Sequence, residues 1–211
     1  PKLLILVAIT LAMTIAGIRA DVLVPWPGVA LMLPVALGVA GAVAWLVVLI
    51  NAVNFMDGAN GLSIGMAAIA AAGLAALAAL IGAWNIALLA AALAGALGGF
   101  LVWNVSGKLF AGDAGALFAG AVIGGLCLDL VRLRPDLLFV PPILAMPFLS
   151  DVLLTLAWRA RHGKKLYEAH RDHAYQIAIK AGLKHWQVPA RHAVWGVSAS
   201  GIAIVSAAAG A

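Results

Sequence analysis

Four polar side chains, Asn51, Asn54, Asp57 and Asn60, recur at steps of three directly after an apolar run, a costly pattern if that run lies in a membrane. A helix of 3.6 residues per turn would carry them as overlapping neighbours that drift by about 60° per step. Gly58 and Gly61 stop such a helix. The expected arrangement therefore has Asn51 and Asn54 on its last turns and Asp57 at its mouth, where a ligand can meet it. On its own, a helix end followed by a polar loop explains the stretch about as well.

Two further polar clusters lie downstream. Asp113 stands between Gly112 and Gly115 in the loop that runs from Asn104 through Lys108 to Ala116. The glycines let backbone amides approach an oxyanion, and a helix beginning near Ala114 turns its positive end to the same place. A carboxylate there suits a hard cation such as Mg²⁺, which takes one or two carboxylates plus phosphate oxygens and water; the plainer alternative is an N-cap for the next helix. The third cluster, residues 159–187, contains His170, Arg171, Asp172 and His173 before Tyr175 and Gln176. Arginine and histidine supply forked or switchable donors that suit a diphosphate. His170 and His173, at i and i+3, lack a third ligand for a transition metal. Arg159, Arg161, Lys164 and Lys165 read as anchors for lipid headgroups. Ala174, Ile177, Ala178 and Ala181 recur at helical spacing and predict a short amphipathic helix on the inner leaflet. Within apolar runs, Asp129 has Arg132 and Arg134 as ready partners, and Asp151 follows Pro147, whose kink could turn it inward.

The elements that position these residues must be membrane helices. Of the 211 residues 65% are hydrophobic and 10% charged, and mean hydropathy is +1.10, well outside the range of soluble domains. Apolar runs at Leu3 to Ile18, Val29 to Val53, Leu62 to Ile81, Ile86 to Trp103, Ala114 to Val131, Leu137 to Trp158 and Val194 to Ala211 predict about seven spans. No barrel-like alternation is present, so the fold class is all-α, a polytopic transmembrane helical bundle with a cytoplasmic polar loop. Residues 1–211 read as one catalytic domain. The chain starts at Pro1, inside the flank of a span, which predicts further protein upstream. Alternation of the spans gathers Lys2, Lys108, Arg159, Arg161, Lys164, Lys165, Arg171, Lys180, Lys184 and Arg191 on one side, against Arg19, Arg132 and Arg134 on the other. The positive-inside rule makes the first side cytoplasmic, and it carries all three polar clusters with it.

At these residues the chain resembles the polyprenyl-phosphate N-acetylhexosamine-1-phosphate transferases, glycosyltransferase family 4. Asn51 to Gly61 is similar to the family's Asn-rich Asp-Gly-x-Asp-Gly element. Asn104 to Lys108 with Phe110 to Gly115 is similar to its Asn…Lys-(Ile/Leu)-Phe-x-Gly-Asp-x-Gly-Ser element. Ala169 to Gln176 is similar to its cytoplasmic histidine loop, in the form of the O-antigen branch. Asn60 replaces a second aspartate of many relatives, and Ala116 a serine. The resemblance also implies an Asp-Asp motif upstream of Pro1, without which the segment alone is expected to be inactive.

The resemblance implies transfer of a sugar-1-phosphate from a UDP-N-acetylhexosamine to undecaprenyl phosphate at the bacterial inner membrane. The products are UMP and a lipid-diphosphate sugar that begins a cell-surface polysaccharide such as O-antigen lipopolysaccharide. It implies Mg²⁺, or Mn²⁺ in its place, on Asp113. Asp57, Asp113 and His173 become the catalytic group, with Asn51, Asn54, Asn60, Asn104, Lys108, His170 and Arg171 around the substrate. Membrane lipids, not nucleic acid, are the expected surroundings, and a homodimer is compatible. CDP-alcohol phosphatidyltransferases need Asp-Gly-x-x-Ala-Arg, whereas Ala59-Asn60-Gly61-Leu62 follows Asp57-Gly58 here. The reading outside enzymology is a noncatalytic scaffold or transporter whose polar loops hold a lipid headgroup.

Overall fold

The computed structural model describes residues 2–165 and 172–209. Lipid offers backbone groups no hydrogen-bond partner, so each apolar run closes its own helical ladder. The helices are α1 (Lys2–Ile15), α2 (Val35–Phe55), α3 (Leu62–Leu80), α4 (Trp84–Val105), α5 (Gly112–Leu133), α6 (Val140–Leu144), α7 (Met146–Arg161), α8 (Ala174–Lys180) and α9 (Gln187–Ala209). Among the described residues, α2, α3, α4, α5 and α9 are long and apolar enough to cross a membrane. The two remaining apolar runs take other forms. The first becomes the 14-residue α1. The run after Leu137 breaks at Ala145 into α6 and α7, with a 69° bend from the start of that segment at Pro135. Pro147 in the first turn of α7 explains the break, because it cannot donate to the Ile143 carbonyl in a continuous ladder.

The polytopic all-α bundle carries one small exception. Val29–Met32, the start of the long apolar run expected to be helical, pairs antiparallel with Val22–Trp26, with Trp26 opposite Val29. Pro27 and Gly28 make the turn, Gly28 at φ 84°. Proline then glycine at the two central positions is the type II pattern.

The bundle packs around α3, whose small residues admit close neighbours: its core includes Ala67, Ala70, Ala71 and Ala78. At one end of the bundle the start of α1, the ends of α2 and α4 and the starts of α3 and α5 meet through the polar contacts described below. The opposite end, roughly 33 Å away along the 22 residues of α5, carries Arg19, Arg132 and Arg134. Each of these is paired, with Asp21 at 3.0 Å, Asp129 at 3.0 Å and Asp136 at 2.6 Å. Local pairing therefore cancels the basic charge there.

Close approach of α2 and α5 depends on Gly120, where an added Cβ would lie 2.9 Å from the Ile50 Cα. Backbone cannot rotate aside. Gly120→Val should lower the thermal stability of the detergent-solubilised full-length protein by about 1–3 kcal/mol. Gly95→Ala, where nothing lies within 4 Å, should leave it equal or slightly higher.

Candidate active site

Each polar segment that joins the helices at this end uses a side chain to satisfy the backbone of its neighbour. After α2, the chain turns through Met56 to Gly61, and Gly61 adopts φ 77° to start α3. Its N–H donates to Asn104 Oδ1 at 2.9 Å, while Asn104 Nδ2 donates to Leu109 O at 2.8 Å. Asn104 is 3% exposed. Expected beside the substrate, its amide here ties the 56–61 turn to the 106–111 loop. Gly112, at φ 59°, directs its N–H to the Asp57 carboxylate rather than to an external oxyanion.

Asp57 and Asp113 lie near enough for their charges to interact. Partial burial pushes the Asp57 carboxyl up to about 6; the Gly112 amide opposes that rise and the charge on Asp113 adds to it. Asp113 lies in the first turn of α5, with an exposed side chain. Its Oδ1 accepts from Asn54 Nδ2 at 2.9 Å, and its Oδ2 meets Lys2 Nζ at 2.8 Å. Lys2 also donates to Asn54 Oδ1 at 3.2 Å. No group of three or more metal-ligating side chains occurs among the described residues. A neighbouring pair of carboxylates nevertheless fits a hard cation whose other positions are filled by phosphate oxygens and water.

The third segment reaches the same place from α7. Asp151, Thr155 and Arg159 follow one another at intervals of four along α7 and are all buried, a polar stripe on one face of an otherwise apolar helix. Asp151 Oδ1 accepts from His173 Nδ1 at 2.9 Å and Ala174 N at 3.1 Å, and Oδ2 accepts from Tyr175 N at 3.1 Å. Arg159 pairs with Asp172 and donates to Lys165 O at 2.6 Å. It is 5% exposed. Arg159 therefore braces the loop, correcting its reading as a headgroup anchor. Tyr175 is buried and donates its hydroxyl to Phe55 O at 3.2 Å. The His173 ring lies 5.9 Å from that of Phe55, beside the end of α2. In α8, Tyr175 and Ile179 turn inward, while Ala174 and Ile177 stay on the exposed side.

The structure thus gathers Asn54, Asp57, Asp113 and His173. Other expected site residues stand elsewhere. Asn51 donates to Val47 O at 2.7 Å within its own helix. Asn60 leans on the turn at Gly107, where an added Cβ would meet its Nδ2 at 2.9 Å. Lys108 lies 5.6 Å over the Trp103 ring. His170 and Arg171 lie outside the described residues. Lys2 and Tyr175 are the partners that sequence reasoning left unassigned. A lysine so far from Asp113 in sequence gives no local signal, whereas the spacing of Asp151, Thr155 and Arg159 was a signal for the buried face that receives the loop.

Comparison with known proteins follows the same residues. The model of the family "Glycosyl transferase family 4" matches residues 1–131, which include Asp57 and Asp113. The chain is 34% identical over 140 residues to the phospho-N-acetylmuramoyl-pentapeptide-transferase of Bacillus pumilus (strain SAFR-032), covering 65% of this chain and 42% of that protein. It is 35% identical over 145 residues to the same-named protein of Chlamydia trachomatis serovar D (strain ATCC VR-885 / DSM 19411 / UW-3/Cx), covering 65% and 43%. The chain therefore spans about two fifths of the length of the curated relatives it matches.

The contact between the first and third segments can be tested by size. A Cβ added at Gly58 would lie 2.2 Å from the Tyr175 hydroxyl and 3.2 Å from the ring carbon that bears it. Tyr175 is held by hydrogen bonds at both ends and cannot swing away freely. Gly58→Ala should destabilise the full-length protein by about 1–3 kcal/mol in thermal unfolding, and most of that loss should vanish when Tyr175→Phe is combined with it. Simple addition of the two effects would show that these residues do not touch.

Proposed function

Because this chain belongs to glycosyl transferase family 4, we propose that the full-length protein transfers an N-acetylhexosamine-1-phosphate from a UDP-sugar to undecaprenyl phosphate, releasing UMP. The observation that carries this reading is the convergence of Asn54, Asp57, Asp113 and His173 at one end of an apolar bundle. A second feature supports the lipid acceptor. A cavity of about 460 Å³ among α1, α2 and α5 is lined by Ile5, Leu6, Ile9, Ile50 and Phe118, with Lys2 at its polar end beside Asp113. An isoprenoid tail suits the apolar part, and its phosphate suits the lysine.

In this reaction an oxygen of the acceptor phosphate attacks the phosphorus that bears the sugar. The bond from that phosphorus to the UMP oxygen breaks, and UMP leaves with the electron pair. Lys2 offsets charge on the acceptor phosphate, the Asn54 amide holds Asp113 in place, and His173, when both ring nitrogens carry hydrogen, donates to the diphosphate through Nε2. Asp113, with Asp57 near it, would hold Mg²⁺ or Mn²⁺, which when bound supplies charge neutralisation for the diphosphate. Arg171 and His170, through the family resemblance, add donors on the histidine loop. The site faces the cytoplasm of a bacterial inner membrane by the positive-inside rule, since alternation of the apolar runs puts ten lysines and arginines on its side against three on the other. The family resemblance of the histidine loop favours an early step of O-antigen or a related cell-surface polysaccharide.

Full-length protein in proteoliposomes containing undecaprenyl phosphate should release UMP from at least one UDP-N-acetylhexosamine, and only with Mg²⁺ or Mn²⁺ present. Asp113→Asn should reduce turnover by about 10²–10³-fold or more. Headgroup binding without turnover on any UDP-N-acetylhexosamine would instead establish a scaffold or transporter.

A further inference from the structure

The Asp151 carboxylate lies on α7, is 3% exposed, and belongs to none of the three polar segments at this end of the bundle. Burying it costs several kcal/mol unless its oxygens are fully used. They are used chiefly on the segment from His173 to Tyr175: one ring nitrogen and two consecutive backbone amides donate to them, all within 3.1 Å. Thr155 Oγ1 stands 3.4 Å from the same Oδ1. Oδ1 receives the imidazole and the Ala174 amide, while Oδ2 receives the Tyr175 amide, so both oxygens are needed at once.

From this geometry we infer that Asp151 is a positioning residue for His173. The carboxylate accepts only, so the nitrogen facing it must carry hydrogen, and the hydrogen on Nδ1 is fixed. Nε2 becomes the nitrogen through which the ring exchanges a hydrogen bond or a proton with any other group. Holding the two following amides fixes the height of the ring as well as its tautomer. The same bonds seat Tyr175 against the carbonyl of Phe55, so one buried acid sets the third segment against the end of α2, two residues before Asp57. The inference rests on the proposed transfer reaction only for its kinetic consequence; the tautomer is a property of the protein without substrate.

The test uses full-length protein with ¹⁵N-labelled histidine, with His173 signals assigned by difference from His173→Gln. The wild type should show Nδ1–H on His173. Asp151→Ala should shift that ring to the Nε2–H form and lower kcat by about 10- to 100-fold, with KM for the UDP-sugar little changed. Asp151→Glu, which keeps two accepting oxygens, should retain Nδ1–H. If Asp151→Ala does not accumulate, Asp151→Asn provides the reading: its single oxygen cannot serve both sides, so mixed tautomers or a partial loss of kcat is expected. Nδ1–H persisting in Asp151→Ala, or both tautomer and kcat unchanged in Asp151→Asn, would overturn the inference. A tautomer switch in a protein that transfers no sugar phosphate would uphold the positioning role and remove the proposed reaction.

Discussion

Polar backbone at the end of an apolar bundle must find partners, and here each connecting segment finds them in a side chain of another. Gly61 N–H is met by Asn104, Gly112 N–H by Asp57, and Phe55 C=O by Tyr175. The three segments are separated by whole helices in sequence, yet these bonds join the first to both of the others. Moving one leaves a backbone group of the next unpaired, at a cost of about 1–3 kcal/mol for each buried group. The carboxylates of Asp57 and Asp113 can be held close despite their repulsion because the loops that carry them are fastened together by these bonds.

The same logic governs the distribution of charge. At the far end, Arg19, Arg132 and Arg134 are each neutralised by a nearby aspartate. At the near end the arrangement is reversed: two aspartates lie near enough to repel one another, and Lys2 and Asn54 reach Asp113 from other helices. A site that gathers negative side chains beside donors is suited to phosphates accompanied by a cation. It is poorly suited to an apolar ligand alone. The bend between α6 and α7 belongs to this design, because α7 must present Asp151, Thr155 and Arg159 to a loop outside the bundle rather than to lipid.

Much of this was legible in the sequence. Length and polarity of the apolar runs gave most of the helices, and the glycines after Asn51, Asn54 and Asp57 marked the end of α2. What escaped was the partner of each polar atom. An asparagine in a loop reads alike whether it meets substrate or, like Asn104, two backbone groups of its own protein. Arg159 has the composition context of a headgroup anchor, and only the fold shows it buried against Asp172. The hairpin was masked because Val29–Met32 is as apolar as the helix that follows, although Pro27-Gly28 held the turn signal.

The central claim is that segments distant in sequence meet at one end of the bundle. Thiol cross-linking in native membranes with a short bifunctional reagent tests it most directly, using full-length protein with Cys127→Ser as background. Asn54→Cys paired with Asp113→Cys, and Phe55→Cys paired with Tyr175→Cys, should each give an intramolecular cross-link in high yield, whereas Asn54→Cys with Asp129→Cys should give none. Absence of the first two links, with both thiols of each pair still reactive toward monofunctional reagent, would contradict the account.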